Sequence, residues 1–385
     1  MPHICCIWEC GSGLGHLSKL KPFIDAALAR GDTVTLVAKE THNVSVICDP
    51  DRIAVRPTPR IEPHTGGSGE RIASFARLLR SYYGNRDRLG QLCRQWDALL
   101  DDLDPDLVIC EHAPTALICC LERRCTVWTA GFGFTLPRTD QDYLGWFPGI
   151  EAPSKAELRL DTHWLLERIN GYLLSTRRRP ITSLAQLWTQ AEREWLLTLP
   201  ELDQFGLRPS AKYHGLPDPI GRGESAWPDR PGPKILGYLS DCPAMKPLLR
   251  ALDGMAVNAL IYSRDLDARA CADFPALNIT TTPVDFAALL DKADLVINMA
   301  GHMSAGQTYL ASVPQLMLVR QQEQLLMARR IMAQHAGVAH NARSADISIS
   351  LQQAFRLMQQ GVPKARSVST GRLADRIGAA FEEVV

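Results

Sequence analysis

Three short stretches hold the residue types that do chemistry, and each follows an apolar run that reads as a buried strand. The first is Gly11-Ser12-Gly13-Leu14-Gly15-His16, after His3–Trp8. Glycines permit a tight turn and close approach of backbone to a ligand, and a helix opening there offers unpaired N–H groups. A dinucleotide fingerprint would place its third glycine at position 16 and use Glu40 for a ribose. His16 stands there instead, which argues against that reading. An imidazole at a helix start can take a proton from a hydroxyl. The plainer reading is that His16 fills the turn.

The second stretch, Asp106-Leu107-Val108-Ile109-Cys110-Glu111-His112, ends a strand in a carboxylate and an imidazole. At the carboxyl edge of a parallel sheet, Glu111 can orient His16 and stabilise it once protonated. It can equally be a solvated loop carboxylate. His112 can contact substrate instead, and the chemistry alone does not choose.

The third is Ala293–Val319 (ADLVINMAGHMSAGQTYLASVPQLMLV). A strand is expected to about Met299, a turn at Gly301, a helix from about Ser304, and Val313-Pro314 leading into another strand. Backbone N–H groups of Met303–Gly306 would cradle a pyrophosphate, with the Ser304 hydroxyl donating. Glu323-Gln324, past the next strand, pairs an acid with an amide, which suits the vicinal hydroxyls of a sugar. An ordinary βαβ unit gives the same pattern.

The elements around these stretches repeat. Thr33–Ala38 and Cys125–Ala130 are further apolar runs, so the first half holds four candidate strands with helices between. Leu17–Arg30 has helical spacing and ends at Gly31, and residues 70–103 and 155–192 read as helical. Ile235–Leu239, Ala259–Tyr262, Leu295–Asn298 and Leu316–Val319 restart the rhythm in the second half. Unbroken Val/Ile/Leu runs bounded by turns suit parallel sheets covered on both faces. Leu216–Pro233 is dense in proline and glycine and is the candidate linker. The expected division is residues 1–215, a linker over 216–233, a second domain over 234–365, and a C-terminal stretch, 366–385, whose helix can return to the first domain.

Composition bounds the function. The chain has 385 residues, which at roughly 100–200 per domain suggests two. Lys+Arg and Asp+Glu are 42 each, so there is no overall basic field to hold nucleic acid. No apolar run is long enough to span a bilayer, and the start Met1-Pro2-His3-Ile4 lacks a signal-peptide pattern. The 11 cysteines include no Cys-x-x-Cys pair, and Cys5-Cys6, Cys110 and Cys119-Cys120 lie in apolar runs. They read as small buried hydrophobes of a reduced, cytoplasmic protein, and no cluster of zinc ligands is evident.

Taken together, these residues resemble the nucleotide-sugar glycosyltransferases of the GT-B fold, in particular the family 1 group and its bacterial relatives. That family carries a Gly-rich turn ending in Gly-His, here Gly15-His16, and an acid at a later strand end, here within Asp106–Glu111. Its second-domain signature is matched in register by Gly301, Ser304, Val313-Pro314, Glu323-Gln324 and Ala328-Arg329. Leu199-Pro200-Glu201-Leu202-Asp203 also resembles a bacterial nucleotide-sugar-binding branch. There are departures. The family's phosphate-binding histidine falls on Met299, with His302 the nearest substitute. Its ribose-binding glutamate falls on Gln307, and Pro283-Val284-Asp285-Phe286 stands where an aromatic-x-Pro-Gln segment often frames the base.

The resemblance implies two Rossmann-like doubly wound domains facing a cleft, and an inverting transfer without a tightly bound metal or cofactor. The donor is a nucleoside-diphosphate sugar, UDP- or dTDP-linked. It is expected at Gly301, His302, Met303, Ser304, Ala305, Gly306, Gln307, Glu323 and Gln324. His16 is the base and Glu111 its support. Gly13, His112, Phe132, Phe134 and Trp146 are expected to line the site of a small-molecule or peptide acceptor. The expected state is a monomer or homodimer. The rival readings are a sugar-nucleotide epimerase or hydrolase on the same fold, a non-catalytic sugar-nucleotide-binding helper, and a nicotinamide or flavin oxidoreductase.

Overall fold

The four apolar runs of the first half become β1 (His3–Trp8), β2 (Thr33–Ala38), β4 (Leu107–Glu111) and β5 (Thr126–Gly131), all parallel. Two shorter strands, β3 (Ala54–Pro57) and β6 (Arg193–Leu196), close the edges, giving the order β3-β2-β1-β4-β5-β6. These come from a computed structural model that describes residues 1–42, 44–60, 72, 74–84, 86–141, 143–144, 154–221, 223, 226–266, 272–365 and 372–384.

Helices α1 (Leu14–Arg30), α2 (Phe75–Tyr83), α3 (Arg86–Leu103), α4 (Pro114–Cys120), α5 (Lys155–Ser175) and α6 (Gln186–Thr189) accompany this sheet. Cys5, Ile7, Val108 and Cys110 of the sheet form one core with Leu92, Trp96 and Leu100 of α3 and Leu165 and Ile169 of α5. Central strands covered on both faces are apolar in succession for this reason. The helical expectation over 155–192 is met by α5 to Ser175 and again only by the short α6. Arg177 turns left-handed (φ 60), and Pro180 follows without an N–H to continue the helix.

The second sheet repeats the design. Its members are β7 (Lys234–Tyr238), β8 (Asn258–Tyr262), β9 (Asn278–Thr280), β10 (Leu295–Asn298), β11 (Gln315–Val319) and β12 (Gly337–Asn341), in the order β12-β11-β10-β7-β8-β9. Around it run α7 (Met245–Asp253), α8 (Phe286–Leu290), α9 (His302–Leu310), α10 (Gln322–Ala333) and α11 (Ser348–Gln360). The chain divides into two compact units, Met1–Pro217 with Thr370–Val385, and Asp218–Ser369. The last helix, α12 (Leu373–Val384), packs on α1, and its Phe381 ring lies 5.1 Å from Trp128 of β5. Among the described residues of 216–233 there is no helix or strand.

In each sheet the first strand lies in the middle, with the second and third to one side and the fourth to sixth to the other. Neighbouring crossovers therefore diverge between β1 and β4, and again between β7 and β10. Doubly wound sheets bind ligands outside the carboxyl ends of the strands at such a point. Among the described residues no helix is long and apolar enough to cross a membrane, no group of three or more His, Cys, Asp or Glu gathers as a metal site, and the cysteines are thiols, nearly all buried.

Candidate functional site

Register brings the first site together. Trp8 and Glu111 are partners at the carboxyl ends of β1 and β4. Beyond β1 the chain turns through Gly11 (φ 84) and Gly13 (φ 91), both in the left-handed range. Gly13 caps α1, which starts at Leu14, three residues before apolar spacing reveals it. His16 thereby falls in the first turn, with Nδ1 at 2.7 Å from Glu111 Oε2. Lys19, one turn on, pairs with the other carboxylate oxygen, Oε1. The Glu111 side chain is 0% exposed and that of His16 12%. Burial alone would raise the Glu111 pKa, but the charges of His16 and Lys19 and the His16 hydrogen bond outweigh it, bringing it down to about 2. An ionised carboxylate only accepts, so Nδ1 carries a proton, and in the neutral form of the ring the lone pair is on Nε2.

Trp8 stacks on the His16 ring at 5.1 Å and 12°. His112 covers the ring from 5.9 Å at 24°, and Phe134 meets His112 edge-on. His112 itself is left-handed (φ 44), a strained state for a residue with a side chain, and its carbonyl accepts the Cys10 N–H at 2.9 Å. Its Nδ1 is buried without a hydrogen-bond partner. Burial holds its pKa down; Glu111 pulls it up, while His16, Lys19 and Lys39 push it down again, to about 3. His112 is therefore a neutral imidazole beside the dyad.

Phe132 and Phe134 are largely buried, and both touch this site, since the Lys19 ammonium rests over the Phe132 ring at 3.8 Å. Their loop is held by a buried ion pair from the segment before the linker. Arg208 Nε donates to Asp203 at 2.8 Å, and the same guanidinium reaches the Leu136 carbonyl at 2.7 Å. Gly133 lies so close to Asp203 that a Cβ would fall 2.3 Å from its carboxylate. Trp146 lies outside the described residues. Glu9, which sequence reasoning passed over, accepts the Thr115 N–H at 2.8 Å and the Tyr82 hydroxyl at 3.0 Å, fixing the α4 start beside the dyad. Burial raises its pKa against these bonds.

In the second unit, Asn298 ends β10 and Ala300 is left-handed (φ 53) before Gly301 caps α9. Two buried amides lock this turn. Asn298 Oδ1 accepts the Ala300 N–H at 2.7 Å, Asn298 Nδ2 donates to Gln315 Oε1 at 2.9 Å, and Gln315 Nε2 donates to the Ala305 carbonyl at 3.1 Å. Neither amide was singled out from the sequence.

Helix α9 begins at His302, earlier than the expected Ser304, so the Ala305 N–H is already bonded to Gly301 at 2.9 Å. The N–H groups of Met303 and Ser304 precede the first helical bond, so the cradle expected at Met303–Gly306 moves to the helix start. Ala305 and Gly306 are buried in the helix, His302 is buried, and Met299 packs against the unit's core. Ser304 Oγ is 3.2 Å from the Gly301 carbonyl.

Glu323 and Gln324 lie in the first turn of α10, with Gln307 partly exposed on α9. Gln324 Oε1 is taken by the N–H groups of Arg320 and Gln321, at 2.8 and 2.9 Å, which leaves its NH2 for a ligand. The Tyr238 ring, at the end of β7, lies 4.9 Å from that of Tyr262, at the end of β8, and 5.5 Å from that of Phe286, all three partly exposed.

The sequence matches no known family and no curated protein. Solved structures match throughout. The glycotransferase of kitacinnamycin is similar over 100% of this chain and 94% of its own, with TM-score 0.65 and 14% identity. The calicheamicin glycosyltransferase CalG4 is similar over 100% and 98%, with TM-score 0.64 and 15% identity. The glycosyltransferase VinC in complex with dTDP is similar over 99% and 96%, with TM-score 0.60 and 13% identity. The chain has the GT-B fold, two Rossmann-like units in tandem, over its whole length.

Proposed function

We propose that the chain is a glycosyltransferase that moves a sugar from a nucleoside diphosphate to an acceptor hydroxyl, with inversion, and that His16 is the general base. The observation that carries this reading is the His16–Glu111 contact at the switch point of the first sheet, with Nε2 left as the proton acceptor. The acceptor O–H gives its proton to Nε2, and its oxygen bonds to the anomeric carbon. The bond from that carbon to the diphosphate breaks, and the diphosphate leaves with the electron pair. Glu111 steadies the imidazolium. The acceptor lies by Gly13, His112, Phe132 and Phe134.

In the second unit, the backbone N–H groups of Met303 and Ser304 at the helix start and the Ser304 hydroxyl meet the charge developing on the diphosphate, with no tightly bound metal needed for the step. Glu323 and the Gln324 NH2 hold the sugar, Gln307 a ribose hydroxyl, and the Tyr238–Tyr262–Phe286 group the base. The dTDP bound to VinC supports a pyrimidine nucleotide, UDP or dTDP, for this chain.

A thermal-shift panel of nucleoside diphosphates and their sugars tests the donor half, because a ligand selective for the folded state raises Tm. Ser304→Ala is expected to weaken binding by about 1 kcal/mol, roughly fivefold. Glu323→Ala is expected to weaken the sugar nucleotide more than the bare diphosphate. No shift with any of these ligands sinks the reading, and binding without turnover favours the helper protein.

A further inference from the structure

Glu111 has two carboxylate oxygens, and α1 holds both. His16 takes Oε2 and Lys19 takes Oε1. Residues three apart share a helix face, so both reach the carboxylate from one side. The Lys19 side chain is 0% exposed, with its ammonium on the Phe132 ring. Burying an ammonium is costly, and orienting an imidazole by a carboxylate does not by itself call for one.

We infer that Lys19 is a positioning residue for the base: by holding Oε1 it turns Oε2 to His16 Nδ1, and by offsetting the carboxylate's charge it limits how firmly the His16–Glu111 pair holds a proton. This rests on the reading of His16 as the base. A pair that held its proton too firmly would stay protonated between turnovers and leave no lone pair for the next acceptor.

The groups facing this carboxylate are His16 and Lys19 from α1 and His112 from the end of β4. Beyond them come Glu9 and Cys10 after β1, Lys39 after β2, and Tyr82 of α2. His112 is neutral, and Lys39 is bonded to the Gly11 carbonyl at 2.6 Å. Lys19 is thus the permanent cation that touches the carboxylate. Without it the negative charge is opposed by His16 alone, and the pair takes up its proton at higher pH, whichever atom carries it.

Lys19→Met is the test. The acid limb of the kcat–pH profile is expected to move up by about one pH unit or more, with donor KM unchanged. Nitrogen-15 NMR of the His16 imidazole in the unliganded chain is expected to show the same upward movement, and it needs no turnover. In a Glu111→Gln background, Lys19→Met is expected to move the acid limb less than it does in the parent, because only the direct repulsion between Lys19 and the His16 imidazolium is then left. A Lys19→Met protein that melts earlier but keeps the parental acid limb and imidazole titration overturns the inference. So does a double variant displaced from Glu111→Gln by as much as Lys19→Met is displaced from the parent. If Lys19→Met fails to fold, Lys19→Gln keeps an N–H donor for Oε1 without the charge. It is expected to show the same upward movement, and its absence overturns the inference. A parent without turnover counts against the base reading, and the imidazole titration then decides the role of Lys19 by itself.

Discussion

Gly11 and His16 are packed so closely that a Cβ on Gly11 would fall 2.1 Å from His16 Nε2, the atom proposed to take the acceptor's proton. The glycine is required twice, because φ at Gly11 is also left-handed, at 84°. Gly11→Ala is therefore expected to push the imidazole off Glu111. A fall in kcat of roughly 10²-fold or more is expected, the lower end of what a misplaced base costs. Donor affinity, proposed to reside in the other unit, is expected to stay at the parental value. Steady-state kinetics beside donor binding measures both, and a parental kcat would show that the room beside Nε2 is not needed.

The amides of Asn298 and Gln315 give a second prediction. Gln315→Leu strips the buried Asn298 Nδ2 of its acceptor. The cost is expected at about 1–3 kcal/mol in urea unfolding of the second unit. Nucleotide binding is expected to weaken as well, because Asn298 holds Ala300 in its strained turn. Asn298→Leu with Gln315→Leu is expected to regain part of the stability and none of the binding. A single variant with parental stability and affinity would remove these amides from the account.

His112 gives a pH dependence with a definite sign. Its folded pKa is lowered from 6.5 to about 3, so between those values the unfolded chain binds a proton that the folded chain refuses. Stability from this group is full above 6.5 and is lost as pH falls toward 3, amounting to a few kcal/mol. Glu111, lowered from 4.5 to about 2, adds a loss of the same sign at lower pH. His112→Asn is expected to flatten the decline between pH 6.5 and 4.5 in denaturant unfolding. An equally steep decline in the variant contradicts the assignment.

The sequence showed some of this and hid the rest for physical reasons. The central strands of both sheets were legible because burial on both faces makes them apolar in succession, as in Cys5–Trp8 and Leu295–Asn298. The strands that were missed, β3, β6, β9 and β12, are the edges of the two sheets. An edge strand such as Ala54-Val55-Arg56-Pro57 is largely exposed and carries no apolar run.

His16 and Glu111 were legible because a strand end followed by a glycine turn or an acid is a local pattern. Lys19 had a local signal too, the i, i+3 spacing from His16, but a lysine on a helix ordinarily reads as solvated. Asn298 and Gln315 are 17 residues apart and meet only through the register of β10 and β11. The start of α9 was misjudged because Gly301 and Ser304 both read as helix-start residues, and the backbone chose Gly301.

The central claim is that His16 takes the acceptor's proton, and it is tested most directly by the rate of nucleoside diphosphate release from a sugar nucleotide in the presence of an acceptor. Donor hydrolysis can stand in until an acceptor is known. His16→Ala is expected to lower kcat by roughly 10²–10⁴-fold, the range for a positioned base, with donor affinity kept. Glu111→Gln is expected to give a smaller loss, because it orients the base without receiving the acceptor's proton. A His16→Ala protein that releases the diphosphate at the parental rate contradicts the account, and His112, stacked 5.9 Å away, would then be the base to test.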